Sequence, residues 1–469
     1  MDQNLIEALK VRFEALRAAA RHDPYPSAKE RRRRLSVLER LLRENLAELA
    51  EAISADFGSR SLSETKAVEF FPMFDCVRYA RRKLGSWMRP RRRATGLWFL
   101  PATSQMIPQP LGAVGIVAPW NYPLLMAVGP LADALAAGNR AMIKMSEHAP
   151  RTAALFARLV AEHFQPDEVS VVEGGVEVGQ AFVSLPFDHL LFTGSTEVGI
   201  SVMHAAASNL TPVTLELGGK SPAIIAPGYP LAHAVERIMY GKCINAGQTC
   251  IAPDYVLVPA GSESAFVAEA QRVCARFYPD MAGTSDYASI IDERHFQRLR
   301  RCIDEAAAEG AEVVRLGPEM PPESRRLAPH LLLGSAALSK GLQKEIFGPI
   351  LPVVGYRDVD GAIAFVNARA RPLALYLFDR DSARVERWLR ETVAGGVSVN
   401  ETIMHIAQHN LPFGGVGPSG MGRYHGRDGF DTFSHQKAVF RQSRLAGVAL
   451  FNPPYGRRFQ ALIKLVLRL

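Results

Sequence analysis

Four short segments place chemically capable side chains next to glycines or prolines. Asn245-Ala246-Gly247-Gln248-Thr249-Cys250 ends a small, polar, glycine-containing loop on a thiol. Such a loop can present sulfur to a substrate as a nucleophile, although a cysteine taken alone is more often an inert buried hydrophobe. Leu215-Glu216-Leu217-Gly218-Gly219-Lys220 sets a carboxylate at the end of an apolar run, before a Gly-Gly turn. Between two leucines that carboxyl is partly desolvated, which raises its pKa toward the range of a general base. The plain alternative is a surface charge at a strand end. In Pro119-Trp120-Asn121-Tyr122-Pro123, Asn121 offers a neutral amide donor of the kind that stabilises an oxyanion, or is an ordinary turn asparagine. Phe192-Thr193-Gly194-Ser195-Thr196-Glu197-Val198-Gly199 reads as a strand running into a helix start. Backbone N–H groups and the helix dipole can hold a pyrophosphate there, but the spacing is not GxGxxG.

These segments need elements to carry them. Val114–Ala118, Ala141–Lys144, Val169–Val172 and His189–Phe192 read as buried strands, separated by helices near 126–137, 152–163 and 176–185. Strand–helix alternation predicts a parallel sheet covered on both faces, with ligands bound outside the carboxyl ends of its strands. The alternation resumes at Val213 and runs to Asn400, so two α/β domains are expected. Leu111–Ala132 is apolar enough to mimic a membrane span, but Pro119, Pro123 and Pro130 favour a strand, a turn and a helix. Upstream, Ser27 and Glu30 are spaced as a capping box, and Leu35, Leu38, Leu42, Leu46, Leu49 and Ile53 follow at helical spacing, closed by Gly58. The run Arg31–Arg34 reads as a solvated face. A second basic stretch spans 81–93, and 97–110 reads as an extended arm.

The 469 residues predict two or three domains. With 48% apolar and 22% charged residues, the chain is globular rather than disordered or fibrous. A net charge of +8 without aromatic interleaving is not a nucleic-acid signature. Five scattered cysteines form no disulfide framework and no CxxC pair, and Met1–Lys10 does not read as a signal peptide. A cytoplasmic protein is therefore expected. Cys243 reads as structural. His405 and His409 are spaced i, i+4 but lack an HExxH context, so no metal site is expected.

Taken together, PWNYP, Ile143-Lys144-Met145-Ser146-Glu147, FTGS, LELGGKSP, GQTC and Glu345-Ile346-Phe347-Gly348-Pro349 stand in the order and spacing of the aldehyde dehydrogenase superfamily, which the chain resembles from about residue 30 to 440. Cys250–Leu257, Leu411–Gly417, Tyr424-His425-Gly426 and Phe433-Ser434-His435 resemble its class 3 branch, which holds fatty, aromatic and bacterial coniferyl aldehyde dehydrogenases.

The resemblance implies an α/β fold: a Rossmann-like NAD(P)-binding domain (1–88 and 108–216), an α/β catalytic domain (217–400), and a small β oligomerisation arm with the substrate entrance (89–107 and 401–445). By match to its motifs, Cys250 is the nucleophile, Asn121 and the Cys250 N–H hold the oxyanion, and Glu216 activates the hydrolytic water. Glu216 also separates the chain from acylating members, which lack this base. The cofactor set is Trp120, Lys144, Glu147, Gly194, Ser195, Gly199, Glu345 and Phe347. Glu147 suggests NAD, with NADP as the alternative. Tyr122, Met126 and Phe413 are substrate-wall candidates, with core packing as the other reading. The substrate is an aldehyde, either medium- or long-chain aliphatic or aromatic such as coniferyl aldehyde. An esterase using the same thiol and a binding protein without turnover are the rival readings. The assembly implied is a homodimer, with no nucleic-acid partner.

The tail, 446–469, is separate. In Phe459–Leu469, Gln460, Lys464 and Arg468 form one polar stripe on an apolar helix. The segment either docks on the subunit or lies peripherally at the inner membrane surface, with Arg457, Arg458 and Lys464 near acidic lipids.

Overall fold

The computed structural model describes residues 2–334, 338, 340–445 and 451–467. Strands β1 (Arg91–Arg93) and β2 (Thr103–Pro110) open an arm. The first sheet then forms from β3 (Ala113–Val117), β4 (Arg140–Lys144), β5 (Val169–Val172), β6 (His189–Thr193) and β7 (Val213–Glu216). A second follows from β8 (Pro222–Ile225), β9 (Tyr255–Pro259), β10 (Glu312–Arg315), β11 (His330–Leu333), β12 (Ile350–Tyr356), β13 (Ala374–Phe378) and β14 (Gly396–Val399). The chain returns through β15 (Gly420–Met421) to the first sheet and through β16 (Ser434–Arg441) to the arm.

The first sheet has the order β15-β7-β6-β3-β4-β5, with only β15 antiparallel. β3 lies between β6 and β4, so the winding reverses there and opens a crevice at the strands' carboxyl ends. The second sheet, β10-β11-β12-β9-β8-β13-β14, is parallel apart from β10. Strands such as β4, β6 and β13 are buried along their whole length, which is why they read as unbroken apolar runs. In the arm, β2 pairs with β1 and with all eight residues of β16. Of residues 401–445, only β16 joins that sheet. Residues 420–421 extend the first sheet, and the helix Gly426–Thr432 packs on the helices Phe71–Trp87 and Pro123–Ala137.

The helix Pro123–Ala137 runs through the core almost wholly buried. Its terminal N–H and C=O groups cannot reach water and need partners from the protein. At its start, Glu69 accepts from the N–H groups of Leu124 and Leu125 at 2.7 and 3.1 Å. At its end, Arg31 donates to the carbonyls of Ala136 and Ala137 at 3.1 and 2.5 Å.

That contact corrects the reading of Arg31–Arg34 as a solvated face. Arg31 and Arg34 are fully buried, and only Arg32 and Arg33 lie toward solvent. Arg34 is held by Glu30 and Glu168 at 3.0 and 3.2 Å. Helical phase turns every third or fourth residue inward, and these two meet a helix end and a carboxylate.

The helix Arg457–Leu467 buries none of its residues. Arg468 of the expected polar stripe, with 446–450 and 469, lies outside the described residues.

Candidate active site

The carboxyl ends of β3, β6 and β7 and the loop ending at Cys250 enclose one cleft of ≈ 620 Å³. It gathers Trp120, Asn121, Met126, Gly194, Ser195, Glu216, Cys250, Glu345 and Phe347 from the expected set. Lys144, Glu147, Gly199, Tyr122 and Phe413 do not line it.

The thiol sits on a strained loop. Asn245, Ala246 and Gly247 have φ of 50°, 49° and 75°, three left-handed residues in a row. Only Gly247 adopts this freely, and a Cβ there would strike the Gly348 carbonyl. The other two cost about 1–2 kcal/mol each and persist only where contacts over-determine them. Those contacts are present. Asn245 N–H donates to Glu64 Oε1 at 3.0 Å, and Asn245 Nδ2 donates to the carbonyls of Asn121 and Gln248 at 3.1 and 3.2 Å. The buried Gln248 side chain donates to the Ser289 carbonyl and accepts from the Ile291 N–H, both at 3.0 Å.

Asn121 Nδ2 donates to the Gln248 carbonyl at 3.1 Å, which aims the amide at the thiol's own loop. Burial, reinforced by Glu345 and Glu216, pushes the Cys250 thiol up, opposed by the backbone N–H groups of Cys250 and Ile251. At rest the sulfur therefore carries its proton.

Glu216 ends β7 and is 3% exposed, and neither of its carboxyl oxygens has a hydrogen-bond partner. Burial alone drives its pKa well above the usual carboxylate range. An unpaired buried carboxylate costs several kcal/mol, so the resting group is a neutral acid.

The other half of the cleft is built differently. Gly194 and Ser195 open the helix Thr196–Ala207, and Ser195 caps it by accepting from Val198 N–H. The Trp120 ring lies edge-on to Phe347 and His295 at centroid distances of 5.3 and 5.2 Å. Burial raises Glu345 to about 8, and it accepts from the Gly219 N–H. Its carboxyl occupies the place a Gly218 Cβ would take. Outside the cleft lining, Lys144 is buried at the end of β4, donating to the Met145 carbonyl at 2.7 Å with Glu147 at 3.7 Å.

A helix N-terminus, an aromatic pair, two carboxylates and a buried lysine are the donors and walls a dinucleotide requires. Gly199 instead packs under Leu217, inside the helix.

Two of the three expected substrate walls are turned inward. The Tyr122 hydroxyl pairs with Thr249 Oγ1 at 2.7 Å. Phe413 stacks between His405 and His425 at 6.0 and 5.3 Å. Met126 does reach the cleft. His405 and His409 turn to separate partners, Ser398 Oγ at 3.0 Å and Asp75 at 3.1 Å.

The cleft also holds residues that the sequence reading did not single out. His295 and Arg298 come from the first turns of the helix Glu293–Ala308, where Asp292 caps and accepts from His295. No local spacing marks them; only the packing of that helix beside Phe347 brings them in. Arg60, Glu64 and Glu69 stand behind the cleft, and no motif of the sequence analysis includes them.

The profile described as "Aldehyde dehydrogenase family" matches residues 8–439. A protein named probable coniferyl aldehyde dehydrogenase from Pseudomonas aeruginosa is 50% identical over 98% of this chain and 96% of its own length. The substrate-bound state of Staphylococcus aureus AldH superposes with a TM-score of 0.92 at 37% identity, covering 97% of this chain and 99% of that one. A Mycobacterium tuberculosis aldehyde dehydrogenase complexed with NAD+ gives a TM-score of 0.84 at 29% identity, covering 92% and 90%.

Proposed function

This chain belongs to the aldehyde dehydrogenase family, in its class 3-like branch, and oxidises an aldehyde to the carboxylic acid with NAD(P); on that premise we propose that Cys250 is its nucleophile, Asn121 its oxyanion donor and Glu216 its hydrolytic base. The observation that carries the assignment is the unpartnered, buried Glu216 carboxyl facing the same cleft as Cys250 and Asn121.

Cys250 Sγ gives its proton to solvent and bonds to the aldehyde carbon, and the carbonyl π electrons move to oxygen. The Asn121 amide and the Cys250 backbone N–H bind that oxyanion. When bound, a nicotinamide would supply the acceptor for the hydride lost from the thiohemiacetal carbon, which leaves a thioester on Cys250. Glu216, once ionised, then takes a proton from the water that adds to the thioester carbon, and Cys250 leaves as thiolate. Trp120, Phe347 and Glu345 would hold the nicotinamide ribose and ring. Lys144 and Glu147 would hold the adenosine ribose, and the Gly194–Ser195 turn the pyrophosphate. Glu147 can accept from a 2′-hydroxyl and would repel a 2′-phosphate, which favours NAD over NADP.

The substrate class is a hydrophobic aldehyde, aromatic such as coniferyl aldehyde or medium- to long-chain aliphatic. Met126 contributes an apolar side chain to the wall of the cleft. The test is NADH formation by wild type and Cys250→Ser with coniferyl aldehyde and decanal. Wild type should turn over and the variant should not. A fully active Cys250→Ser sinks the assignment, and the faster aldehyde names the substrate class.

The assembly we infer is a homodimer joined through the arm. Leu97 (76% exposed), Trp98, Phe99 and Leu100 form an apolar tip on that arm, with Phe440 packed against Phe99. A second copy would cover them. The protein is read as cytoplasmic, with 457–469 touching a membrane surface peripherally. Lys437, Arg441, Arg444, Arg457, Arg458 and Lys464 share the stretch 433–467 with no acidic residue, a fit to anionic lipid. No helix among the described residues is long and apolar enough to cross a membrane.

A further inference from the structure

Two loops must keep a fixed relation for the oxyanion to find both its donors: 119–122, which carries Asn121, and 245–250, which carries the thiol. Three charged residues, one from the loop after the helix Leu46–Phe57 and two from the helical turns that follow it, lie where these loops meet. Arg60 is fully buried and donates from Nη1 to the Asn121 carbonyl at 3.0 Å. Its guanidinium lies over the Phe57 and Tyr122 rings at 5.0 and 4.8 Å. Glu69 stands 3.4 Å from Arg60 and caps the helix that begins just beyond Asn121. Glu64, 3.8 Å from Arg60, accepts the backbone N–H of Asn245, the first left-handed residue of the thiol loop. Asn245 completes the circuit by donating to the same Asn121 carbonyl at 3.1 Å.

We propose that Arg60 and Glu64 are positioning residues for aldehyde oxidation, bracing the Asn121 loop against the Cys250 loop so that both oxyanion donors and the thiol hold one geometry. The proposal rests on the roles assigned above to Asn121 and Cys250. Neither Arg60 nor Glu64 lines the cleft, so both act from behind it. Their effect passes through the backbone of Asn121 and Asn245. Without the brace, the two left-handed residues lose a contact that over-determines them, and a shift of ~1 Å in the thiol is enough to cost ~100-fold in rate.

The brace also titrates. Burial raises Glu64 to about 7, against the opposing pull of Arg60 and of the Asn245 N–H, with Asp286 and Glu69 adding like charge. Its other titratable neighbours are Tyr122, Tyr240, Tyr278, Tyr287 and Cys243. All five have raised pKa values and stay neutral from pH 6 to 8. Ionised Glu64 holds the Asn245 N–H more strongly than the neutral acid does, so the brace tightens as pH rises through neutrality.

The experiment compares wild type, Glu64→Gln, Glu64→Ala and Arg60→Met in the single-turnover NADH burst at saturating NAD, with NAD affinity read by intrinsic fluorescence. Glu64→Ala and Arg60→Met should slow the burst by ~10- to 100-fold, with NAD affinity within about twofold of wild type. Glu64→Gln keeps an acceptor but not the charge. It should match wild type at pH 6 and fall behind by ~3- to 10-fold at pH 8. A burst within twofold of wild type in Glu64→Ala overturns the proposal. So does a loss of NAD affinity in step with rate, or a Glu64→Gln as slow as Glu64→Ala at every pH. A burst surviving in Cys250→Ser would instead break the underlying site assignment.

Discussion

The acyl half of the cleft and the cofactor half are held by different means. Asn121, Cys250 and their loops are fixed by Arg60 and Glu64, which are distant in the chain, and by Asn245 and Gln248 within the thiol loop itself. Each makes few bonds, and two non-glycine residues there depend on those bonds to stay left-handed. The cofactor half uses backbone N–H groups at a helix start, ring packing between Trp120 and Phe347, and the space left by Gly218. Such contacts are many and individually small. A single substitution should therefore be costly in the first half and mild in the second.

The sharpest way to break that contrast is Glu216→Gln. Hydrolysis should fall by ~10²- to 10⁴-fold, as for loss of a general base, while a stoichiometric NADH burst remains. A normal steady state would remove Glu216 from the mechanism. Asn121→Ala should come next. Loss of an oxyanion donor predicts ~10²- to 10³-fold lower kcat, with the burst itself slowed. If only KM moved, Asn121 would be a binding residue.

A smaller effect is expected from pH. Glu216 and Cys250 both have raised pKa values and rest protonated, so each must lose a proton to act. The rate should climb from pH 6 to pH 9. A flat profile would mean that neither group is ionised in the limiting step. The smallest effect lies on the cofactor side. Glu147 is exposed and holds only Lys144. Glu147→Gln should lower the NAD-over-NADP preference by ~3- to 10-fold, about the worth of one surface charge contact, and leave kcat with NAD nearly unchanged. A collapse of kcat would show the cofactor half to be as brittle as the other.

Stability should follow a related asymmetry. Glu64 and Glu345 have folded pKa values of about 7 and about 8, above the ordinary carboxylate value. A raised carboxyl contributes stability while protonated and loses it as pH climbs from the unfolded value through the folded one. These two groups should therefore lower the melting temperature as pH rises from 5 toward 8. Glu345→Gln should flatten that slope in a calorimetric scan.

Most of the fold was legible, because strands buried on both faces must be apolar throughout. β5 spans Val169–Val172 as expected, β4 and β6 differ from their expected limits by one residue at one end, and β3 is shifted by one residue at both. Glu216 could be picked out for the same reason: a carboxylate closing such a strand has no route to water. The burial of Arg31 and Arg34 was not legible. A run of four arginines reads as solvated unless the carbonyls of Ala136 and Ala137 and the Glu168 carboxylate are known to lie opposite. Likewise Tyr122 and Phe413 read as tunnel wall or as core packing, and only tertiary contacts show that they meet Thr249 and the histidine stack.

The sequence by itself determined the periodicities, the glycine turns and the order of the reactive segments, because these are local consequences of backbone sterics and of apolar spacing. Only the tertiary structure decided which polar groups are left without water and which meet a partner. That choice sets the neutral Glu216, the protonated Cys250 and the Arg60–Glu64 brace. Desolvation and hydrogen bonding act through space, between residues that the chain holds far apart.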